Sequence, residues 1–378
     1  MTYCQRCVLP DTRPGLALDD EGVCNACRSA ERKQHEVDWQ ERDQEFTKLA
    51  SEVKKMDRSY DCIIPVSGGK DSHWQVVTCL EHGLHPLAVT WCPPHRTEIG
   101  RANLENLKNL GVDHIDFSIN AGVQKRFMRR SFEKLGTPFV PMHLAMDAIA
   151  RVAARAYRTP LIVWGENSAD EYGTGDASLS GAQLKEAWMQ TFNTRGTTAS
   201  DWLAEGFTRE ELAPYFAPET DSGEKTQPIF LGYYFRWDPE HSRQVAAQHG
   251  FRSRSEGALT GYYAFADLDD ALLAVHHWLK WYKFGITRTF DNLSLEIRNE
   301  RMTRDEAIAI IRQRGEEVPR EAIQHFCEYV GLTVPRFYET AEAFRNHDIW
   351  KRVDGHWQLA SFLIEDWGWQ ESVLERAT

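Results

Sequence analysis

Cys62-Ile-Ile-Pro-Val-Ser-Gly-Gly-Lys-Asp-Ser72 is the stretch that decides the fold of this chain. Its first five residues are mostly apolar and rich in β-branched types. They are too few for a helix, and the pattern predicts a buried strand. Gly68 and Gly69 let the backbone turn tightly and lie close to a ligand. From Asp71 onward the spacing predicts a helix, with Trp74, Val77 and Leu80 on one side and Gly83 past its end. A strand that passes through a glycine turn into a helix N-terminus gathers free N–H groups and the positive end of the helix dipole. That is an anion site. The spacing is not Gly-x-x-x-x-Gly-Lys-Ser/Thr, so this is not a Walker A loop.

Ser67-Gly68-Gly69-Lys70-Asp71-Ser72 resembles instead the SGGxDS loop of the PP-loop ATP pyrophosphatases. The resemblance implies an enzyme that holds the β and γ phosphates of ATP in the loop and cleaves between α and β. A plain Ser-Gly-Gly turn with an Asp or Ser helix cap is the simpler reading. Such turns are common, whereas the full hexamer behind a buried strand is much rarer.

Downstream the alternation continues. Pro86–Trp91 predicts a second strand, Thr97 could cap a helix running to Leu110, and 114–118 predicts a third strand. Helices are expected over about 121–135 and 142–157, with a fourth strand at 161–164 and a returning strand at 229–235. Strands separated by helices indicate an α/β fold with a doubly wound parallel sheet, here assigned to about 58–266. Ligands of such sheets bind beyond the carboxyl ends of the strands. That rule selects the turns Ser67–Ser72, Trp91–His95 and Gly165–Glu171. The last, continued as Gly165-Glu-Asn-Ser-Ala-Asp-Glu-Tyr-Gly173, carries three carboxylates and an amide, suited either to Mg²⁺ beside ATP phosphates or to helix capping in a polar loop. Residues 174–226 suit a lid or a surface excursion equally.

Upstream, Cys4-x-x-Cys7 and Cys24-x-x-Cys27 are separated by sixteen residues. Each pair can place two thiolates on one side of a tetrahedral ion, the spacing of a zinc ribbon. Four thiolates fill the coordination sphere, so a structural Zn²⁺ is expected in residues 1–57, with a charged helical connection over 30–56.

Composition sets the limits. A chain of 378 residues with 42% hydrophobic and 26% charged residues can build two or three globular units. Its net charge of −12 argues against a broad nucleic-acid or anionic-membrane surface. No apolar run reaches spanning length and the first residues show no signal-peptide core, so a cytoplasmic location is expected, with cysteines used as metal ligands or free thiols.

The C-terminal region, 267–378, is expected to be helical, beginning with a helix over Asp267–Lys283. His276 and His277 lie beside its apolar stripe and suit packing or solvent better than a metal. Between Lys283 and Arg304 stand Arg288, Arg298 and Arg301, which suit a phosphate or diphosphate grip or, equally, helix ion pairs with Glu296, Glu300, Asp305 and Glu306. Thr303-Arg-Asp-Glu306 is a capping box. Trp350, Trp357, Trp367 and Trp369 suit a core or a subunit contact.

Four features together resemble the N-acetyl sugar amidotransferase family, which makes acetamidino sugars for O-antigen and flagellar glycans. They are Tyr3-Cys4-x-x-Cys7-Val-Leu-Pro-Asp-Thr-Arg-Pro-Gly15 with Gly22-Val-Cys-Asn-Ala-Cys27, the SGGKDS loop, Gly165-Glu-Asn167, and the stretch from Lys283 to Arg304. The likeness is weakest over 174–226 and the last thirty residues, and Ile286-Thr287 stand where the family pattern has another Gly and an aromatic. It implies that ATP activates the oxygen of a sugar N-acetyl group and ammonia replaces it. On that resemblance Ser67, Gly68, Gly69, Ser72, Thr90 and Gly165 hold the nucleotide, and Lys70 stabilises charge. Asp71 caps the helix or binds Mg²⁺, and Glu166 and Asn167 orient the metal or the sugar amide. Glu171, Lys283, Arg288, Asp291, Arg298 and Arg301 are the expected contacts to a nucleotide-activated N-acetyl sugar. The chain shows no glutaminase elbow, so ammonia is expected from solution or a separate glutaminase; a homo-oligomer is left open. The rival is a tRNA-thiolating PP-loop enzyme. It would need a catalytic Cys or an iron–sulfur cluster, whereas Cys62, Cys79, Cys92 and Cys327 are isolated and the chain is acidic.

Overall fold

The structure is a computed structural model describing residues 1–218 and 226–369. Five parallel strands form the central sheet: β1 (Cys62–Pro65), β2 (Pro86–Trp91), β3 (Asp113–Phe117), β4 (Leu161–Trp164) and β5 (Gln227–Phe230). Their order is β3-β2-β1-β4-β5, so the order reverses between β1 and β4. Ile63 pairs with Leu87 on one side and Ile162 on the other.

Both faces of the sheet are covered, because successive strand residues point to opposite sides. Cys62 and Ile64 join a core with Phe46, Trp74, Leu104 and Leu107, from the helices Trp39–Lys54, Lys70–Glu81 and Glu98–Lys108. Ile63 between them turns to Phe127, Ile149 and Ala153, from the helices Ala121–Leu135 and Val140–Tyr157. Thr97 caps its helix by accepting from Gly100 N at 2.9 Å.

Several boundaries differ from the sequence reading. The returning strand spans only Gln227–Phe230, and Leu231–Tyr234 is already a helical turn. The helix expected from Asp267 begins at Leu273; Asp267 itself has φ of 57°, which breaks regular helix before it starts. The charged connection is two helices, Asn25–His35 and Trp39–Lys54, the second capped by Asp38. The capping box at Thr303 and Glu306 forms as read.

The 174–226 segment packs against the domain on both flanks. Leu179, Leu184, Trp188 and Met189 meet Ala169 and Phe230, while Trp202, Phe207 and Tyr215 meet Phe127. Its residues 219–225 lie outside the described residues, as does the end of the Trp-rich tail, 370–378. The C-terminal region is not wholly helical: β6 (Trp350–Val353) and β7 (His356–Leu359) form an antiparallel hairpin. Trp350 is buried against Trp281, and Trp367 and Trp369 pack with Phe362, so these tryptophans serve a core.

The cysteine module shares a core with this region. Val8, Leu9, Leu16 and Val23 pack with Phe290, Leu293 and Ile311. Among the described residues, no helix is long and apolar enough to cross a membrane.

Candidate active site

The reversal of strand order opens a crevice beyond the carboxyl ends of β1 and β4, where doubly wound sheets bind ligands. The two turns facing it are Ser67–Ser72 and Gly165–Gly173. Gly68 has φ of +87°, and a Cβ there would stand 2.8 Å from Leu104 N. Only glycine fits that backbone path. Gly69 caps the Lys70–Glu81 helix without a side chain, leaving first-turn N–H groups at the crevice. The loop is held by Ser67 N donating to Ser72 Oγ at 3.0 Å and Gly69 N to Ser67 Oγ at 3.3 Å.

Lys70 is buried, and its ammonium pairs with Asp71. Asp71 also accepts from Trp237 Nε1 at 2.9 Å. Thr90 lies beneath the loop: its hydroxyl donates to Val66 O at 2.7 Å and meets His114 Nε2 at 2.8 Å. It braces the strand end. Gly165 O accepts from Gly232 N, fixing the start of the second turn.

Glu166 is partly buried and faces both loop residues. Burial, and then the charge of Asp71, push its carboxyl up to about 7, against the opposing pull of Lys70. A group poised there can exchange a proton near neutrality. Asn167 is committed elsewhere. Its Oδ1 caps Ala169 N at 2.9 Å and accepts from Trp188 Nε1 at 2.8 Å, while Nδ2 donates to Leu179 O and Gly181 O. It pins the 177–188 segment to the turn. Glu171 pairs with Lys33 of the Asn25–His35 helix, tying the turn to the cysteine module.

The basic run divides. Arg301 pairs with Glu296 and, through both terminal nitrogens, with Asp238. Lys283 Nζ donates to Gly136 O at 2.8 Å in the core, and burial pushes its amine down to about 7. Arg301 thus makes the ion pair with Glu296 that the helix-pairing reading offers, whereas Lys283 is held by a backbone carbonyl. Arg288 and Asp291 face the crevice instead, joined by three residues the sequence reading did not single out for it: Arg13, Asp267 and Lys280. Arg288 Nε lies 3.2 Å from Asp267, whose carboxyl also feels Lys70. Tyr172 links the halves: its phenol is surrounded by Arg288, Asp291, Glu166 and Arg13, and the Arg13 guanidinium sits over its ring at 4.7 Å.

Arg298 has a third destination, the cysteine cluster. Its Nη1 donates to Glu171 O, while Nε and Nη2 are buried with no oxygen partner. They face the Cys7, Cys24 and Cys27 sulfurs. The four sulfurs lie within 4.8 Å of one another, with Cys4 and Cys27 3.9 Å apart and Cys7 and Cys24 3.7 Å apart. Zn–S bonds of about 2.3 Å in a tetrahedron place sulfurs about 3.8 Å apart, so the cluster fits zinc. Arg298 would then offset the net negative charge of a four-thiolate zinc site. Backbone N–H groups of Arg6, Cys24 and Cys27 also point at these sulfurs.

Strand order, glycine loop and switch-point crevice define a PP-loop-type α/β domain, joined to a four-cysteine module and a largely helical C-terminal region. Residues 256–363 match the family model "LPS biosynthesis protein WbpG-like, C-terminal domain". That match bears out the resemblance to the N-acetyl sugar amidotransferases. No match is found among curated proteins. Among solved structures, similarity is found to an NMN synthetase from Francisella tularensis, 14% identical with a TM-score of 0.28, over 58% of this chain and 99% of that one. An NH3-dependent NAD synthetase from Campylobacter jejuni, in complex with nitrate, gives 14% and 0.30 over the same shares. At these scores neither adds to the fold argument, which rests on the sheet and the loop.

Proposed function

We propose that this chain is an ATP-dependent amidotransferase that converts the acetamido group of a nucleotide-activated sugar to an acetamidino group. The observation that carries this reading is a juxtaposition. The region matched by the WbpG-like model supplies Asp267, Lys280, Arg288 and Asp291 to the crevice that the phosphate loop faces. An acetamide is a poor electrophile because its oxygen leaves badly. In the proposed reaction that oxygen attacks the α-phosphorus of ATP, giving an O-adenylyl imidate and pyrophosphate. Ammonia adds to the imidate carbon, and AMP departs with the oxygen.

The loop N–H groups and Lys70 would hold the phosphates, and positioning plus electrostatics would supply most of the acceleration. Asp71 and Glu166 are the carboxylates suited to Mg²⁺, which takes oxygen ligands. Glu166, with its raised pKa, is also suited to accept the proton that ammonia loses on addition. Cys4, Cys7, Cys24 and Cys27 would fill the coordination sphere of a zinc ion with four thiolates, which supports a structural role.

The test supplies ATP, a panel of nucleotide N-acetyl sugars and either ammonium or glutamine, and follows product mass. Replacement of the acetamide oxygen by NH is expected with ammonium. Glutamine alone should fail until a separate glutaminase is added. A mass matching incorporation of sulfur would favour the thiolation rival, and efficient glutamine use by the isolated chain would overturn the partner requirement.

A further inference from the structure

Asp291 is fully buried, and three cations from separate parts of the chain converge on it. Arg13 Nε lies 2.8 Å from Oδ1, Lys280 Nζ 2.8 Å from Oδ2 and Arg288 Nη1 3.9 Å from Oδ2. Burial would push the Asp291 carboxyl up, but these three neighbours hold it far below the usual carboxylate range. The other carboxylate here, Asp267, is taken by Arg288 Nε. His277 contributes no charge, because burial pushes its imidazole down to about 3. Three cations against two carboxylates leave a sheltered excess of positive charge beside the phosphate loop. Such an excess is costly unless an anion completes it.

Arg13 reaches this place because the cysteine module docks closely. Thr12 Oγ1 donates to Phe284 O at 2.6 Å, and Asn25 Nδ2 donates to Thr174 O at 2.8 Å. Gly15, at φ +80°, leaves no room for a Cβ, which would stand 2.9 Å from Gly173 O. Arg13 Nη1 donates to Tyr172 O at 3.3 Å, so the guanidinium is fixed to the Gly165–Gly173 turn as well as to Asp291.

We propose that Arg13, Lys280 and Arg288 form an anion subsite for the diphosphate of a nucleotide-activated substrate, with the cysteine module supplying Arg13. Asp291 holds the cations in place; two guanidinium groups and an ammonium match the oxygens of a diphosphate. The subsite rests on the sugar-nucleotide reading above, but it can fail separately. A diphosphate could also come from ATP, whose phosphates the Ser67–Ser72 loop already takes.

The experiment measures calorimetric affinity of the full zinc-loaded protein for ATP and for UDP, dTDP and GDP as probes. It uses wild type, Arg13→Ala, Arg13→Lys and Lys280→Ala, with zinc content and thermal unfolding as controls. Wild type should bind at least one of the three diphosphates. Arg13→Ala and Lys280→Ala should weaken that binding about 10–100-fold with ATP affinity kept, and Arg13→Lys should recover part of the loss. Unchanged diphosphate affinity in folded, zinc-loaded Arg13→Ala overturns the subsite, as does failure of wild type to bind any of the three. An equal loss for ATP assigns the anion to ATP and overturns the sugar-nucleotide assignment. Amidine formation that ignores Arg13→Ala sinks the subsite and leaves the reaction standing; diphosphate binding without amidine does the reverse.

Discussion

The Ser67–Ser72 loop and the Asp291 cluster are two charged regions on one crevice, built in opposite ways. The loop is contiguous: six residues, with backbone N–H groups supplying much of the field and glycine supplying the shape. The cluster joins Asp267, Lys280, Arg288 and Asp291 of the C-terminal region to Arg13, which reaches them only where the cysteine module docks on the C-terminal helices. A site made of backbone can lose a side chain and keep its fold. A site made of buried opposite charges loses stability with each, most when the shared carboxylate goes, because each charge is tolerated only with its partners.

Truncation of Asp291 should therefore give the largest stability loss. Asp291→Ala leaves three cations without the carboxylate they share, and a destabilisation of about 3–5 kcal/mol is expected in urea unfolding. A loss below about 1 kcal/mol would break the contrast, placing the cluster among ordinary surface pairs.

Lys70→Met should do the reverse. It keeps the buried stem and removes the ammonium beside Asp71. Turnover should fall about 10²–10³-fold, as when one preorganised charge-stabilising donor is lost, while the unfolding midpoint barely moves. Steady-state rates and a denaturation curve on the same preparation check both halves.

Glu166 sits between the regions and sharpens the comparison through pH. Its carboxyl rises from the ordinary 4.5 to about 7 on folding. Such a group contributes stability fully below its unfolded value and loses it as pH rises through the folded one. Glu166→Gln, which mimics the protonated form, should be more stable than wild type by up to about 3 kcal/mol near pH 8 and gain little near pH 4. Thermal unfolding across that range would show the gap widening with pH; a gap that narrows would contradict the assignment.

Arg301→Ala should have the smallest effect, about 1 kcal/mol. Arg301 is 30% exposed and its pairs with Glu296 and Asp238 are partly screened by water.

What the sequence discloses follows the same division. The strands, the glycine turn, the capping box and the cysteine spacing are local patterns, and the structure bears them out with small shifts at β3 and β5. The basic run is local in sequence but not in space. Arg298 turns to the cysteines, Arg301 to Asp238, Lys283 to Gly136, and only Arg288 to the crevice. Helical periodicity separates such neighbours onto different faces, and their partners lie far away in the chain. Arg13 stands inside the Tyr3–Gly15 signature, but nothing local to it points to Asp291, 278 residues away. Asn167 reads as a site residue from its neighbours, yet Trp188 and Leu179, carried by a segment of unsettled role, consume its amide. Tyr172 lies within the Gly165–Gly173 turn, and nothing in its spacing marks it as the link between the two regions.

The central claim is that the acetamide oxygen attacks the α-phosphorus of ATP, and following that oxygen tests it most directly. The protein would be given ATP, ammonium and a nucleotide sugar carrying ¹⁸O in its acetyl carbonyl. Mass spectrometry of the nucleotide products should find the label in AMP, one atom per amidine formed, with unlabelled pyrophosphate. Label in inorganic phosphate with ADP as the nucleotide product, or unlabelled AMP alongside amidine, would contradict the account.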